Sequence, residues 1–243
     1  MITVNQLSKS FGTVKAVQTV SFSAPNGMIT GLLGPNGAGK STTMRMIAGV
    51  LNPNSGEALI DGINVQHDRV KAQQRLGVLP DKRGLYQRLT TRENIAYYGR
   101  LHNLNGPALE KRIDELLELL DMEDIAARRT EGFSTGQKVK VAIARSLVHS
   151  PPNVMLDEPT MGLDVMSTRA MRQVIRKLRE EGHTVLFSSH IMQEVATLCD
   201  NIVIIADGRV VAEGTPDELR RQTGQTDLEE AFVDIIGTTE GLE

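Results

Sequence analysis

The sequence predicts an α/β protein, a mixed sheet with helices that is interrupted by a helical insert over residues 82–150. Three observations predict it. An apolar run at 29–33 feeds a glycine-rich loop and then a helix-like run at 42–50. Further strand-length apolar runs at 76–79, 154–156, 184–187 and 202–206 alternate with helical or turn-rich stretches. Between the first and second of these, the apolar spacing changes from strand-like to helical, and the α/β pattern resumes at Asn153.

Composition bounds the remainder. A chain of 243 residues can bury one substantial core without disulfides. Cys199 is its sole cysteine, which makes a reducing compartment the expectation. A formal charge of −3 argues against nucleic acid as the main partner. No apolar run approaches the roughly 18 residues that span a bilayer, and the first residues lack the basic and apolar regions of a signal peptide. The expectation is an intracellular protein that meets a membrane only through a partner.

Residues 1–33 read as short strands, with alternation at 2–7, a second strand at 17–23 and a third at 29–33. Phe11, between Ser10 and Gly12, reads on pattern alone as partly buried packing near a turn. The loop Gly34-Pro35-Asn36-Gly37-Ala38-Gly39-Lys40-Ser41, followed by Thr42, matches G-x-x-x-x-G-K-S/T. Its glycines let successive backbone N–H groups face one anion, and the next helix adds the positive end of its dipole. In such a loop Lys40 reaches the β- and γ-phosphates and the Ser41 hydroxyl ligates Mg²⁺.

After a loop at 52–56, a strand at 57–60 ends in the turn pair Asp61-Gly62, and a strand at 76–79 runs into Pro80 and Asp81. Thr90-Thr91-Arg92-Glu93 has capping-box spacing ahead of a helix at 94–101. Ile113, Leu116, Leu117 and Leu120 mark an amphipathic helix at 109–120. A third helix at 138–149 places Val141, Ala144, Arg145 and Val148 on one face and stops at Pro151-Pro152. A helix at 165–181 turns Val174, Ile175 and Leu178 inward, with Gly182 as its C-cap. Asp207-Gly208 joins a hairpin of strands at 201–206 and 209–212, and the tail at 227–236 carries Leu228, Phe232, Ile235 and Ile236 on one helical face.

A P-loop enzyme needs a second strand-end acid to hold its metal. Val154-Met155-Leu156 delivers Asp157, and Glu158 beside it can take a proton from an attacking water. Such a pair alone is as often structural; the full P-loop upstream favours the chemical reading. His190 follows the strand at 184–187, and a lone histidine there is more often a surface or satisfied core residue. A neutral imidazole beside the γ-phosphate could instead hold Glu158 and water in line.

In order along the chain, these pieces resemble the ATP-binding subunit of ABC transporters over nearly all of its length. Gly34 to Ser41 is similar to the Walker A motif, and Val154 to Glu158 to Walker B. Phe133-Ser134-Thr135-Gly136-Gln137 resembles the family signature L-S-G-G-Q, and Pro159-Thr160-Met161-Gly162-Leu163-Asp164 resembles its D-loop. His190 then falls at the switch histidine and Phe11 at the aromatic that stacks on adenine. The resemblance implies a P-loop (RecA-like) ATPase core with an antiparallel β subdomain and a helical signature subdomain. It divides one ATP-binding domain into a core at 1–81 and 151–215, a helical part at 82–150 and a tail at 216–243.

It further implies ATP and Mg²⁺ as cofactors, with Ser41, Asp81 and Asp157 toward the metal and Glu158, His190 and Lys40 as catalytic groups. Two copies, or this chain and a related ATPase subunit, would face head to tail around two ATPs. Ser134, Gly136, Gln137 and Asp164 would then serve the opposite subunit's nucleotide. An integral membrane permease would be the second partner, which puts the chain at the cytoplasmic face of the membrane. Two departures from the family pattern stand out. Asp81 replaces the usual Gln, adding negative charge on an arm shorter by one methylene, and Thr135 replaces a Gly, for which an ordinary helical N-terminal conformation is expected. The run Leu79-Pro80-Asp81-Lys82-Arg83-Gly84-Leu85-Tyr86, with the tail at 228–237, resembles ATPases of ABC-2-type exporters, among them that of a bacterial sodium exporter. A drug exporter ATPase, or a soluble ABC ATPase outside transport, is the alternative.

Overall fold

A computed structural model describes residues 1–81 and 84–240, with side chains to residue 237. Lys82 and Arg83 of the run at 79–86, and residues 241–243 of the tail, lie outside the described residues. The chain opens with strands β1 (Ile2–Phe11), β2 (Val14–Ala24) and β3 (Ile29–Leu33), then helix α1 (Lys40–Ile47). Next come β4 (Ser55–Ile60), β5 (Ile63–Asn64), α2 (Arg69–Gln74) and β6 (Leu76–Leu79). Helices α3 (Thr91–Leu101), α4 (Gly106–Leu119) and α5 (Thr135–Leu147) follow. Then β7 (Asn153–Leu156), α6 (Val165–Glu180), β8 (Thr184–Ser189) and α7 (Met192–Leu198) alternate. The hairpin β9 (Asn201–Ala206) and β10 (Arg209–Gly214) leads to α8 (Pro216–Thr223) and α9 (Leu228–Glu240).

Among the described residues, ten strands form two sheets, one of four antiparallel strands in the order β2-β1-β4-β5 and one of six in the order β10-β9-β3-β8-β7-β6. Within the six, β9, β3, β8, β7 and β6 are parallel neighbours, and β10 pairs antiparallel with β9. Strands β3, β7 and β8 are buried along their whole length, which is why they read as unbroken apolar runs. The two faces nevertheless alternate by register. Val154, Leu156, Val185, Phe187, Ile202 and Ile204 join the core shared with the helices. Leu32, Met155, Leu186, Val203 and Ile205 join the core shared with the four-stranded sheet and α1.

The helices begin where the capping chemistry puts them. Thr90 and Glu93 cap α3 reciprocally, and Asp164 accepts the Ser167 N–H to start α6. Met171, Val174, Ile175 and Leu178 form the buried stripe of α6. Gly182 has φ +88°, the left-handed conformation of a helix stop. The loop before α3 is stitched down by the buried Asn94, whose Nδ2 donates to the carbonyls of Tyr86, Leu89 and Thr90 while Oδ1 accepts the Tyr86 N–H. Arg145 of α5 joins the same loop by donating to the Gly84 carbonyl at 2.9 Å, with its guanidinium stacked over Tyr98.

Four differences from the sequence expectation have physical causes. β1 and β2 extend to a tight hairpin at Phe11 and Val14, with register shifts at Gln6 and Thr19, both at positive φ, which break the period-2 pattern. Phe11 is therefore 51 % exposed rather than partly buried packing. α2 is short and polar and buries Ala72 alone. α7 starts directly from β8 without a side-chain cap, so its start carries no local signal, whereas Thr215, Pro216 and Glu218 do carry one for α8.

At the ends of α3 and α5, His102 and His149 stack with ring centroids 3.9 Å apart. Burial, reinforced by repulsion from His102 and Arg112, pushes the His149 imidazole down to about 4. Its folded value thus lies below the ordinary unfolded value, so the unfolded chain binds the proton more readily as pH falls through that interval. Lowering the pH from 7 to 4.5 should remove about 2 kcal/mol through this residue. Denaturant titrations at the two pH values check this: His149→Gln should lose that much less stability than the parent chain.

Candidate functional site

The parallel strands end side by side in the order β3-β8-β7-β6. Their carboxyl ends therefore collect the Gly34–Ser41 loop, Ser188 to His190, Asp157 with Glu158, and Asp81 along one edge. A cavity of about 250 Å³ opens there, lined among others by Asn36, Gly37, Gly39, Lys40, Ser41, Thr42, Asp81 and Glu158.

α1 enters this cavity without a side-chain cap, because its N-cap is Gly39 at φ +101°. A Cβ on Gly39 would stand 2.5 Å from the Ala16 carbonyl oxygen, so space and conformation both require glycine. The first N–H groups of α1 thus point at the cavity without intrahelical acceptors, with the dipole's positive end behind them. This donor set fits a polyphosphate. Lys40, 6 % exposed, donates Nζ to the Gly34 and Pro35 carbonyls at 2.7 and 3.1 Å and lies 3.6 Å from Glu158 Oε1. Burial pulls its ammonium below the usual value, opposed by the charges of Glu158 and Asp157.

Asp157 Oδ1 accepts two hydroxyls, Ser41 at 3.2 Å and Ser188 at 2.7 Å. Ser188 Oγ in turn accepts the Glu158 N–H at 2.9 Å. A carboxylate held beside the Ser41 hydroxyl is an oxygen set suited to Mg²⁺. Glu158 sits at φ +47°, a strained conformation for a glutamate, and its Oε2 meets His190 Nδ1 at 2.9 Å. Sequence reasoning stopped at His190 and missed Ser188; the polar pair ending an otherwise apolar strand was the available signal.

The remaining residues singled out from the sequence lie elsewhere. None of Phe11, Ser134, Gly136, Gln137 and Asp164 lines the cavity. Phe11 sits at the β1–β2 hairpin with Lys9 Nζ 5.6 Å from its ring centre. Ser134 is the N-cap of α5, its Oγ accepting the Gln137 N–H while Gln137 Oε1 accepts the Ser134 N–H. Thr135 is the first residue of that helix, so the missing glycine is tolerated. A Cβ on Gly136 would meet Ser167 Oγ at 3.0 Å, which places the start of α5 against the start of α6.

With this geometry in place, comparison with known proteins is informative. The family model described as ABC transporter matches residues 17–161. The ABC transporter ATP-binding protein NatA of Bacillus subtilis (strain 168) is 42% identical over 238 residues, covering 96% of this chain and 97% of the relative. The Nod factor export ATP-binding protein I of Ralstonia nicotianae is 35% identical over 236 residues, covering 97% of this chain and 74% of the relative. Among solved structures, a dimeric post-hydrolysis ATP-binding cassette bound to ADP and Pi superposes with a TM-score of 0.79 at 28% identity, covering 88% of this chain and 98% of that one.

Gly39→Ala should lower stability by at least about 2 kcal/mol and nucleotide affinity by tenfold or more, read by denaturant titration and nucleotide titration. Gly37→Ala, at φ +86° but with open space around its Cβ, should cost only about 1 kcal/mol of stability.

Proposed function

The chain belongs to the ABC transporter family of ATP-binding proteins, and on that premise we propose that it is the ATP-hydrolysing motor subunit of an exporter, working as a head-to-tail pair around two ATPs. That it binds ATP with Mg²⁺ and hydrolyses it follows from the family. The pairing and the residue roles are this reading's own. The observation that carries it is the contact of Glu158 with His190 at 2.9 Å, where Glu158 and Lys40 line a cavity whose lining includes no residue of the Ser134 segment. One chain therefore holds half of a site.

Ser41 and Asp157, with Asp81 at the cavity rim, would hold Mg²⁺. When bound, the ion offsets charge on the phosphate oxygens. The N–H groups at the start of α1 and the Lys40 ammonium bind the β- and γ-phosphates, and Phe11 offers a face for adenine. Glu158 Oε1 or Oε2 takes the proton of the attacking water, and His190 holds that carboxylate by its Nδ1 contact. The partner's Ser134 segment would close over the γ-phosphate. Ser134 Oγ accepts one N–H inside its own helix and keeps its O–H to donate outward. Closure excludes water and completes the constellation.

Among the described residues no helix is long and apolar enough to cross a membrane, so coupling to transport requires an integral membrane permease partner. On this reading the chain works at the cytoplasmic face of the membrane, held there by that permease. The resemblance of the run at 79–86 and of the tail supports an ABC-2-type exporter, with sodium as the cargo on that resemblance. The Nod factor export relative favours a second reading, in which the same motor serves an exporter of another cargo, such as a drug.

Glu158→Gln should retain Mg²⁺·ATP affinity, lose about 10²- to 10⁴-fold in turnover and accumulate as an ATP-bound dimer in light scattering. Unchanged turnover would remove Glu158 from the role of base. The parent chain's specific activity should rise with its own concentration, and a flat dependence would argue against the shared site.

A further inference from the structure

A buried carboxylate lies one layer behind the site and has no part in the mechanism above. Glu194, in the first turn of α7, is only 2 % exposed. Its Oε2 accepts the Thr160 hydroxyl at 2.6 Å and the Ser189 hydroxyl at 3.2 Å. Ser189 Oγ also accepts the Ile191 N–H at 3.0 Å, so its own proton is committed to Glu194. Thr160 sits on the loop after β7 and Ser189 is the last residue of β8, and both segments lead to active-site groups. Thr160 is two residues beyond Glu158 and directly before Met161, which lines the nucleotide cavity. Ser189 directly precedes His190.

Among the described residues, three rungs can be named between the segment after β7 and the end of β8 with His190. One is Ser188, between the Asp157 carboxylate and the Glu158 N–H. The second is the His190–Glu158 contact itself. Glu194 is the third, and it reaches both segments from a buried position on α7. Glu158 needs such fixing, because its positive φ is a conformation the chain would otherwise relax. A buried carboxylate is expensive, and an apolar side chain of similar volume would pack α7 at least as stably. From this geometry we infer that Glu194 is a positioning residue for hydrolysis: it binds the loop after Glu158 to the end of β8 just before His190, so that the two side chains meet in one fixed geometry.

The inference rests on the roles assigned to Glu158 and His190 above. It is tested on the full chain with Mg²⁺·ATP. Glu194→Ala should lower kcat about tenfold or more, because small misplacement of a catalytic pair is costly, while the nucleotide dissociation constant stays within about twofold. Glu194→Gln keeps an acceptor oxygen for both hydroxyls and should recover turnover to within about threefold of the parent. In a His190→Ala background, Glu194→Ala should bring no further loss, because the contact it positions is already gone.

Parent-level kcat in Glu194→Ala overturns the inference. So does a loss that adds fully to that of His190→Ala, or one that falls equally on nucleotide affinity. Should Glu194→Ala fail to fold, Thr160→Val and Ser189→Ala each remove one donor and carry the same test. Glu158→Gln separates the two failures. If it is inactive while Glu194→Ala is normal, only the positioning role is lost; if it keeps turnover, the catalytic reading beneath it is lost as well.

Discussion

Burial of β3, β8 and β7 on both faces is the constraint from which the rest of this structure follows. Strands covered above and below leave no side chain along their length to meet solvent or ligand. Parallel direction then brings their carboxyl ends to one edge, and polar residues can reach water only there. The phosphate loop, the Asp157–Glu158 pair and His190 are each the first polar group after such a strand. Their convergence is a property of the sheet order β3-β8-β7 more than of any one loop.

Much of this was legible because the local rules and the global fold agree. The runs at 76–79 and 154–156 became strands at nearly those bounds, since their apolar residues serve two cores at once. The capping box at Thr90 and the helix stop at Gly182 are decided within four or five residues and were readable for that reason. Neither α7 nor α2 was. α7 lacks a cap because it is held by tertiary packing, with Val195 and Leu198 against the core that also buries Leu228 and Ala231 of α9. The bulges at Gln6 and Thr19 were hidden as well, since the left-handed residues there are not the usual glycine or asparagine.

The site was legible at its first layer and opaque behind it. Lys40, Ser41, Asp157, Glu158 and His190 have residue types and positions tied to one chemistry, and the structure brings them within contact of one another. Ser188 and Glu194 have oxygens common to many roles, and Asp157 and Glu158, the partners of Ser188, and Thr160, a partner of Glu194, lie some thirty residues away. Only the fold brings those partners together. Phe11 illustrates the converse: its neighbours suggested packing, but a hairpin tip has nothing to pack on.

The two helix starts that face phosphate in this reading differ in a way that bears on energetics. α5 has both of its first-turn needs met internally by Ser134 and Gln137, so its geometry exists before any ligand arrives. α1 has no such cap, and an anion at Gly39 supplies what the sequence withholds. A nucleotide is therefore a structural component of one half of the site and a visitor to the other. In the proposed pair, binding energy released at α1 would go partly into ordering its own loop, whereas at α5 nearly all of it would remain to hold two subunits together. The lifetime of the closed pair would then be set at the signature helix, and the integrity of each separate subunit at the phosphate loop.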